Sequence, residues 1–135
     1  MKDIFQNMNR IATKSEIKFV KSLKLKKNRV KENKFTVEGL KNVQELLKSK
    51  YDVLDLFCTN TYVKLFNNYG CKLISKKELS VMGYFTTNNA CLAVAECIKV
   101  ESDQFSNERQ IIILDGIANP GNLGNIIRAL DWFGF

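Results

Sequence analysis

The chain contains no histidine, and that absence removes the commonest general base, the serine and cysteine triads that depend on it, and any mixed Cys/His zinc site. Its four cysteines, Cys58, Cys71, Cys91 and Cys97, form no C-x-x-C pair. No metal site is therefore expected, and the thiols read as small buried side chains of a reduced, cytoplasmic protein. No run approaches the ~18 apolar residues of a membrane span, and the polar start Met1-Lys2-Asp3 lacks a signal peptide's apolar core, so no membrane partner is expected. Neither G-x-x-x-x-G-K-S/T nor G-x-G-x-x-G occurs, which counts against a nucleoside triphosphatase and a standard dinucleotide site.

What is present is unevenly charged. Residues 1–50 hold 14 Lys+Arg against 5 Asp+Glu, and residues 51–135 hold 7 against 9, so the first part carries +9 and the remainder −2. That asymmetry points to an anionic partner for the first part. Lys14, Lys18, Lys21, Lys24, Lys26, Lys27, Arg29, Lys31 and Lys34 form the densest cluster, where phosphate contacts would give salt-dependent, sequence-independent affinity. A solvated, lysine-rich helix face would produce the same composition.

Strand and helix signals alternate along the chain. Ser15 can cap a helix with Ile17, Val20 and Leu23 on one side and Lys14, Lys18 and Lys21 along another, and a second basic helical turn runs from Lys26 to Glu32. Phe35-Thr36-Val37 reads as a strand, and Glu38-Gly39 leads into a helix with Leu40, Val43, Leu46 and Leu47 on one face. Val53 to Cys58 is the next strand, followed by a helix around Val63 to Asn68 that a left-handed cap at Gly70 would end. Lys72-Leu73-Ile74 is a third strand. Ser75 and Glu78 make a capping box for a short helix stopping at Gly83, and Ala90 to Glu96 is a strand of small residues. The fold class is α/β, with residues ~30–98 forming a compact α/β/α layer. The expected organisation is a basic first domain over 1–100, which the resemblance described below makes an RNA substrate-binding domain, a polar linker over 101–109, and the start of a second domain over 110–135.

The last stretch is the most organised. Ile111 to Asp115 resembles a strand buried on both faces, a glycine turn follows, and Leu123, Ile126, Ile127, Leu130 and Phe133 recur at helical spacing, which makes a β-turn-α unit. Gly121 and Gly124 leave backbone N–H groups free to approach an anion at the helix start, or they merely shape the turn.

The residues from Leu114-Asp115-Gly116-Ile117-Ala118-Asn119-Pro120-Gly121-Asn122-Leu123-Gly124-Asn125-Ile126-Ile127-Arg128 to Asp131-Trp132-Phe133-Gly134 closely resemble the first signature motif of the SpoU/TrmH family of RNA ribose 2′-O-methyltransferases, within the SPOUT superfamily. Ile17-Lys18, Lys27-Asn28-Arg29, Phe35-Thr36-Val37-Glu38-Gly39 and the strand Cys91 to Ala95 are similar to that family's substrate-binding domain. Two features depart from it: Asn119 stands where many relatives carry aspartate, and Thr87-Asn88-Asn89-Ala90 lacks a Pro-Gln-Gly.

The resemblance implies an α/β/α domain that binds rRNA or tRNA, then a knotted α/β domain that binds S-adenosylmethionine, in a homodimeric enzyme. It places Asn122 and Arg128 at the reacting ribose, with Asn122 orienting the RNA or the arginine, and Glu38 either touching RNA or serving as a helix-start acid. A guanidinium with a pKa above ~12 is a poor base, so Arg128 is expected to clamp phosphate and stabilise developing alkoxide. The RNA contacts are expected at Lys14, Lys18, Lys21, Lys24, Lys26, Lys27 and Arg29. The cofactor-binding residues are expected beyond Phe135, so this chain reads as the front part of an enzyme, inactive alone, with Trp132, Phe133 and Phe135 left uncovered. The alternatives are a free-standing RNA-binding module without catalysis and, on the glycine turn alone, a nucleotide-binding α/β domain.

Overall fold

Short apolar stretches separated by turns pair into one mixed sheet, as a computed structural model that describes residues 10–99 and 111–135 shows. The strands are β1 (Arg10–Ile11), β2 (Lys34–Glu38), β3 (Val53–Cys58), β4 (Lys72–Leu73) and β5 (Cys91–Glu96), in the order β1-β4-β3-β5-β2. β3 pairs in parallel with β4 and antiparallel with β5, which in turn runs antiparallel to β2 with Lys34 opposite Glu96 and Glu38 opposite Leu92. The contacts divide the chain into two units between Ile98 and Lys99.

β5 explains the three layers of the first unit. Side chains alternate across a strand, so Cys91, Ala93 and Ala95 face one core together with Val43, Leu46 and Phe66. Leu92 and Val94 face the other, packed with Val20, Leu23, Phe57 and Leu79. The first core lies under α3 (Leu40–Lys48) and a kinked 3-10 run (Asn60–Tyr69), and the second under α1 (Lys14–Ser22) and α4 (Lys76–Met82). α2 (Lys26–Glu32) buries no residue fully. The expected α/β/α layer is borne out and begins earlier than residue 30, because β1 joins β4 at the sheet edge.

Several local expectations need correction. α1 is capped by Thr13, whose side chain accepts the Glu16 N–H while the Glu16 carboxylate accepts the Thr13 N–H at 2.8 Å; Ser15 lies inside the helix. The helix expected at Val63 to Asn68 is the longer 3-10 run, kinked at Phe66, although Gly70 ends it at φ 62° as expected. The Ser75–Glu78 capping box forms as read, and α4 stops at Gly83.

The cysteines differ most. Cys58 and Cys71 are joined by a disulfide with Cα atoms 6.2 Å apart, which corrects the expectation of four reduced thiols. The cause is topological: parallel pairing sets Cys58 opposite Leu73, which brings the residue just before β4 against the end of β3. Cys91 and Cys97 are free, and burial pushes the Cys91 thiol up to about 12, which makes it inert near neutral pH.

In the second unit, α5 spans Pro120–Trp132. The strand expected at Ile111 to Asp115 does not form: the segment is unpaired and exposed, with Ile113 at 85%. A parallel strand needs a neighbour for its N–H and C=O groups, and this unit supplies none among the described residues. Trp132, Phe133 and Phe135 are exposed, as expected. The 101–109 linker lies outside the described residues.

Candidate nucleic-acid interface

Lys14, Lys18 and Lys21 are separated by four and three residues, which puts them along one face of α1, away from buried Val20. All three are exposed, as are Lys26 and Lys27 in the first turn of α2. Two cations at that end run against the helix dipole, so they are not there to stabilise α2. Lys24 is half-buried, with its Nζ 5.8 Å from the Tyr84 ring centre.

Charge pairing separates these lysines from Arg10, Lys48 and Lys72, while Lys31 and Lys34 beside them, and Lys41, Lys50, Lys64, Lys76 and Lys77 elsewhere, are likewise unpaired among the described residues. Arg10 Nη2 lies 2.5 Å from Glu16, Lys72 Nζ lies 2.6 Å from Glu16 and also meets Asp55, and Lys48 pairs with Glu45. The hydrogen bond from Arg10, assisted by Lys72 and Thr13, holds the Glu16 carboxyl well below the usual carboxylate range. Among the described residues, Lys14, Lys18, Lys21, Lys24, Lys26 and Lys27 face no carboxylate. Their field is uncompensated and available to an anion.

Arg29 is partly committed elsewhere. Its Nη1 donates to the Leu23 carbonyl (3.0 Å), the Lys24 carbonyl (2.8 Å) and the Tyr84 hydroxyl (3.0 Å), and that hydroxyl donates to the Lys24 carbonyl. Asn28 Nδ2 adds a bond to the Ser22 carbonyl at 2.8 Å. Together they fix the α1–α2 turn against the loop after α4.

That loop is held from below by Glu38, which is only 8% exposed. Its carboxylate accepts the Tyr84 N–H at 2.7 Å, the Phe85 N–H at 3.4 Å and Asn88 Nδ2 at 3.4 Å. Asn88 Nδ2 also donates to the Cys91 carbonyl at 2.9 Å, which ties the loop to β5. Glu38 is thus a loop anchor, neither of the two roles read from the sequence. Its partners lie 46 to 50 residues away, so no local pattern signals it. Gly83 is part of the same device, since a Cβ there would sit 2.1 Å from Glu38 Oε2.

Asn122 and Arg128 both lie on α5. Asn119 is the cap: its Oδ1 accepts the Gly121 N–H at 2.8 Å and the Asn122 N–H at 3.1 Å, so the Asn122 side chain is left for another partner. Six residues along a helix correspond to a turn of ~120° and a rise of ~9 Å. The helix therefore does not bring Asn122 and Arg128 together. Both are exposed, without side-chain partners among the described residues.

S-adenosylmethionine needs partners for an ammonium, a carboxylate and ribose hydroxyls. The open depression in this unit is lined by Leu114, Gly116, Ile117, Ala118 and Leu123, whose side chains supply none. The side chains of this depression do not fit the cofactor.

Fold and surface together define a small three-layer α/β/α domain with a basic helical hairpin, the class of an accessory binding domain. Residues 14–107 match the family of MRM3-like substrate binding domains, and the chain belongs to that family. It is 29% identical over 123 residues to the 23S rRNA (guanosine(2553)-2'-O)-methyltransferase RlmP of Bacillus subtilis, covering 89% of this chain and 48% of that protein. A structure from Porphyromonas gingivalis assigned to the TrmH family of RNA methyltransferases superposes with a TM-score of 0.68 at 27% identity, over 93% of this chain and 50% of that one. The SpoU methyltransferase AviRb of Streptomyces viridochromogenes, solved with AdoMet, shares the fold with a TM-score of 0.65 at 17% identity, over 89% of this chain and 48% of that one. The chain spans about half the length of each. These similarities bear out the resemblance to SpoU/TrmH enzymes.

Proposed function

We propose that this chain supplies the RNA-binding portion and the first catalytic motif of an enzyme that methylates a ribose 2′-hydroxyl of rRNA or tRNA, with S-adenosylmethionine as methyl donor. The observation that carries the reading is the row of lysines without carboxylate partners on the α1–α2 hairpin, in a member of a substrate-binding family. Lys14, Lys18, Lys21, Lys24, Lys26 and Lys27 contact phosphates, and Arg29 positions the turn that carries them. In the complete enzyme, a cytoplasmic homodimer, Asn122 and Arg128 act at the ribose, where the planar guanidinium clamps phosphate and stabilises charge on the attacking oxygen. Because α5 sets the two side chains on different faces, each meets the RNA by its own route. The remaining residues of the cofactor site are not supplied by the described part of the chain.

The test is salt-dependent RNA binding. Each phosphate contact contributes ~0.7 to the slope of log K against log salt on single-stranded RNA. Replacing Lys21, Lys24, Lys26 and Lys27 by glutamine should therefore weaken binding and lower the slope by as much as ~3. An unchanged slope would remove the hairpin from the interface. Binding without catalysis is the second reading, favoured by the first unit's complete layers, with both sheet faces covered. Methyl transfer to RNA by the complete protein, with the coding sequence read past Phe135, separates the two.

A further inference from the structure

Between the start of α3, the 3-10 run and the loop after α4 lies an open groove of about 360 Å³, lined among others by Gly39, Asn42, Tyr62, Phe85, Thr87 and Asn89. Its size falls within the ~300–1,000 Å³ range of small-ligand sites. We propose that this groove takes one unstacked RNA base, stacked on Phe85 and read by the amides and hydroxyls at its rim. The inference rests on the RNA-binding reading above and adds a site to it.

Three observations select the occupant. The first is the lining charge: no Lys or Arg borders the groove, and its single carboxylate, Glu38, is turned to Tyr84, Phe85 and Asn88. A phosphate would meet no cation there, so the occupant is uncharged. The second is Phe85, a ring 61% exposed at the mouth of the groove on a segment held by two backbone hydrogen bonds to Glu38. An exposed ring on an anchored backbone is a stacking platform, and unpaired bases are the planar groups that RNA-binding proteins hold in this way.

The third is the rim. The Asn89 amide and the Thr87 and Tyr62 hydroxyls have no hydrogen-bond partner among the described residues, and Asn42 spends only its Nδ2, on the Glu38 carbonyl at 3.1 Å. Neutral donors and acceptors around a flat slot suit the edge of a base. The loop that carries Phe85 is also tied to the basic hairpin, since the neighbouring Tyr84 is held by Arg29 and Lys24.

The test is titration of the protein with short single-stranded RNA carrying 2-aminopurine, whose fluorescence falls on stacking, alongside a duplex of the same sequence. Phe85→Ala should weaken single-strand binding about tenfold to a hundredfold and abolish the quench. The salt slope and duplex binding should not change. Asn89→Ala combined with Thr87→Val, both at exposed positions, should weaken it several-fold and carries the test if Phe85→Ala fails to fold. Wild-type affinity in these variants, with binding still lost in the lysine variants, overturns the base site and leaves the RNA reading standing. Wild-type protein that binds neither RNA overturns both.

Discussion

Gly83 and Glu38 allow a test in which one substitution changes sign with its background. Gly83 has φ −86° and ψ 178°, an extended conformation open to any residue, so alanine there meets no backbone strain. What it meets is Glu38: the new Cβ would lie 2.1 Å from Oε2 and 3.1 Å from the carboxyl carbon, with the Leu79 carbonyl at an ordinary 3.4 Å. Gly83→Ala must therefore displace a buried carboxylate that accepts the Tyr84 N–H at 2.7 Å. Hydrogen bonds to charged groups contribute about 1.5–3 kcal/mol, and the Phe85 and Asn88 bonds at 3.4 Å are weaker, so a loss of about 2–3 kcal/mol is expected. Glu38→Ala should cost a similar amount by leaving the Tyr84 N–H unpaired. In the Glu38→Ala background the obstacle is gone, and Gly83→Ala should stabilise by about 0.4–1 kcal/mol through the unfolded chain's reduced freedom. Urea midpoints by circular dichroism for the four proteins of the cycle give the coupling. Equal costs in both backgrounds would refute the anchor.

Two further outcomes follow from the structure. Glu16 has its folded-state pKa depressed by Arg10, so its contribution to stability is present above the unfolded carboxyl value of about 4 and is lost as pH falls below it. Urea midpoints should drop more steeply below pH ~4 in the wild type than in Glu16→Gln, and parallel profiles would show the pairing to be inert. Under denaturing conditions without reductant, iodoacetamide should alkylate only Cys91 and Cys97, and all four cysteines after reduction. Four adducts without reductant would exclude the Cys58–Cys71 bond.

The parts of the fold legible in the sequence are those fixed by local chemistry. β3 is a run of branched and aromatic residues and forms as read, α2 occupies the expected span, and the Ser75 capping box satisfies helix N–H groups within four residues. Strands whose formation depends on a partner are not legible locally, in either direction. Arg10–Ile11 is too short to show a pattern and exists because β4 is beside it. Ile111 to Asp115 has a strong strand pattern and stays unpaired, because branched apolar residues favour an extended backbone but cannot supply a neighbour for its hydrogen bonds. Cys58 and Cys71 show the same dependence, since 13 residues of separation become 6.2 Å only through parallel pairing of β3 and β4.

The candidate site divides along the same line. A lysine's charge is a property of composition, so the basic cluster could be read from the sequence, but whether that charge is neutralised depends on distant carboxylates. Glu16 takes Arg10 and Lys72, and leaves the hairpin lysines uncompensated. Arg29 and Glu38 carry the stronger lesson. Arg29 reads as an RNA contact and Glu38 as an RNA contact or a helix-start acid, yet each sends its bonds to the loop after Gly83, Arg29 across 55 residues to Tyr84 and Glu38 across 46. The exposed residues of that loop, Phe85, Thr87 and Asn89, are the ones left with nothing to hold. A buried charge that anchors a loop spends energy on rigidity, and rigidity adds affinity only if the loop receives a partner. The two charged side chains therefore explain why the loop is ordered, and the uncharged residues above them are where recognition is to be sought.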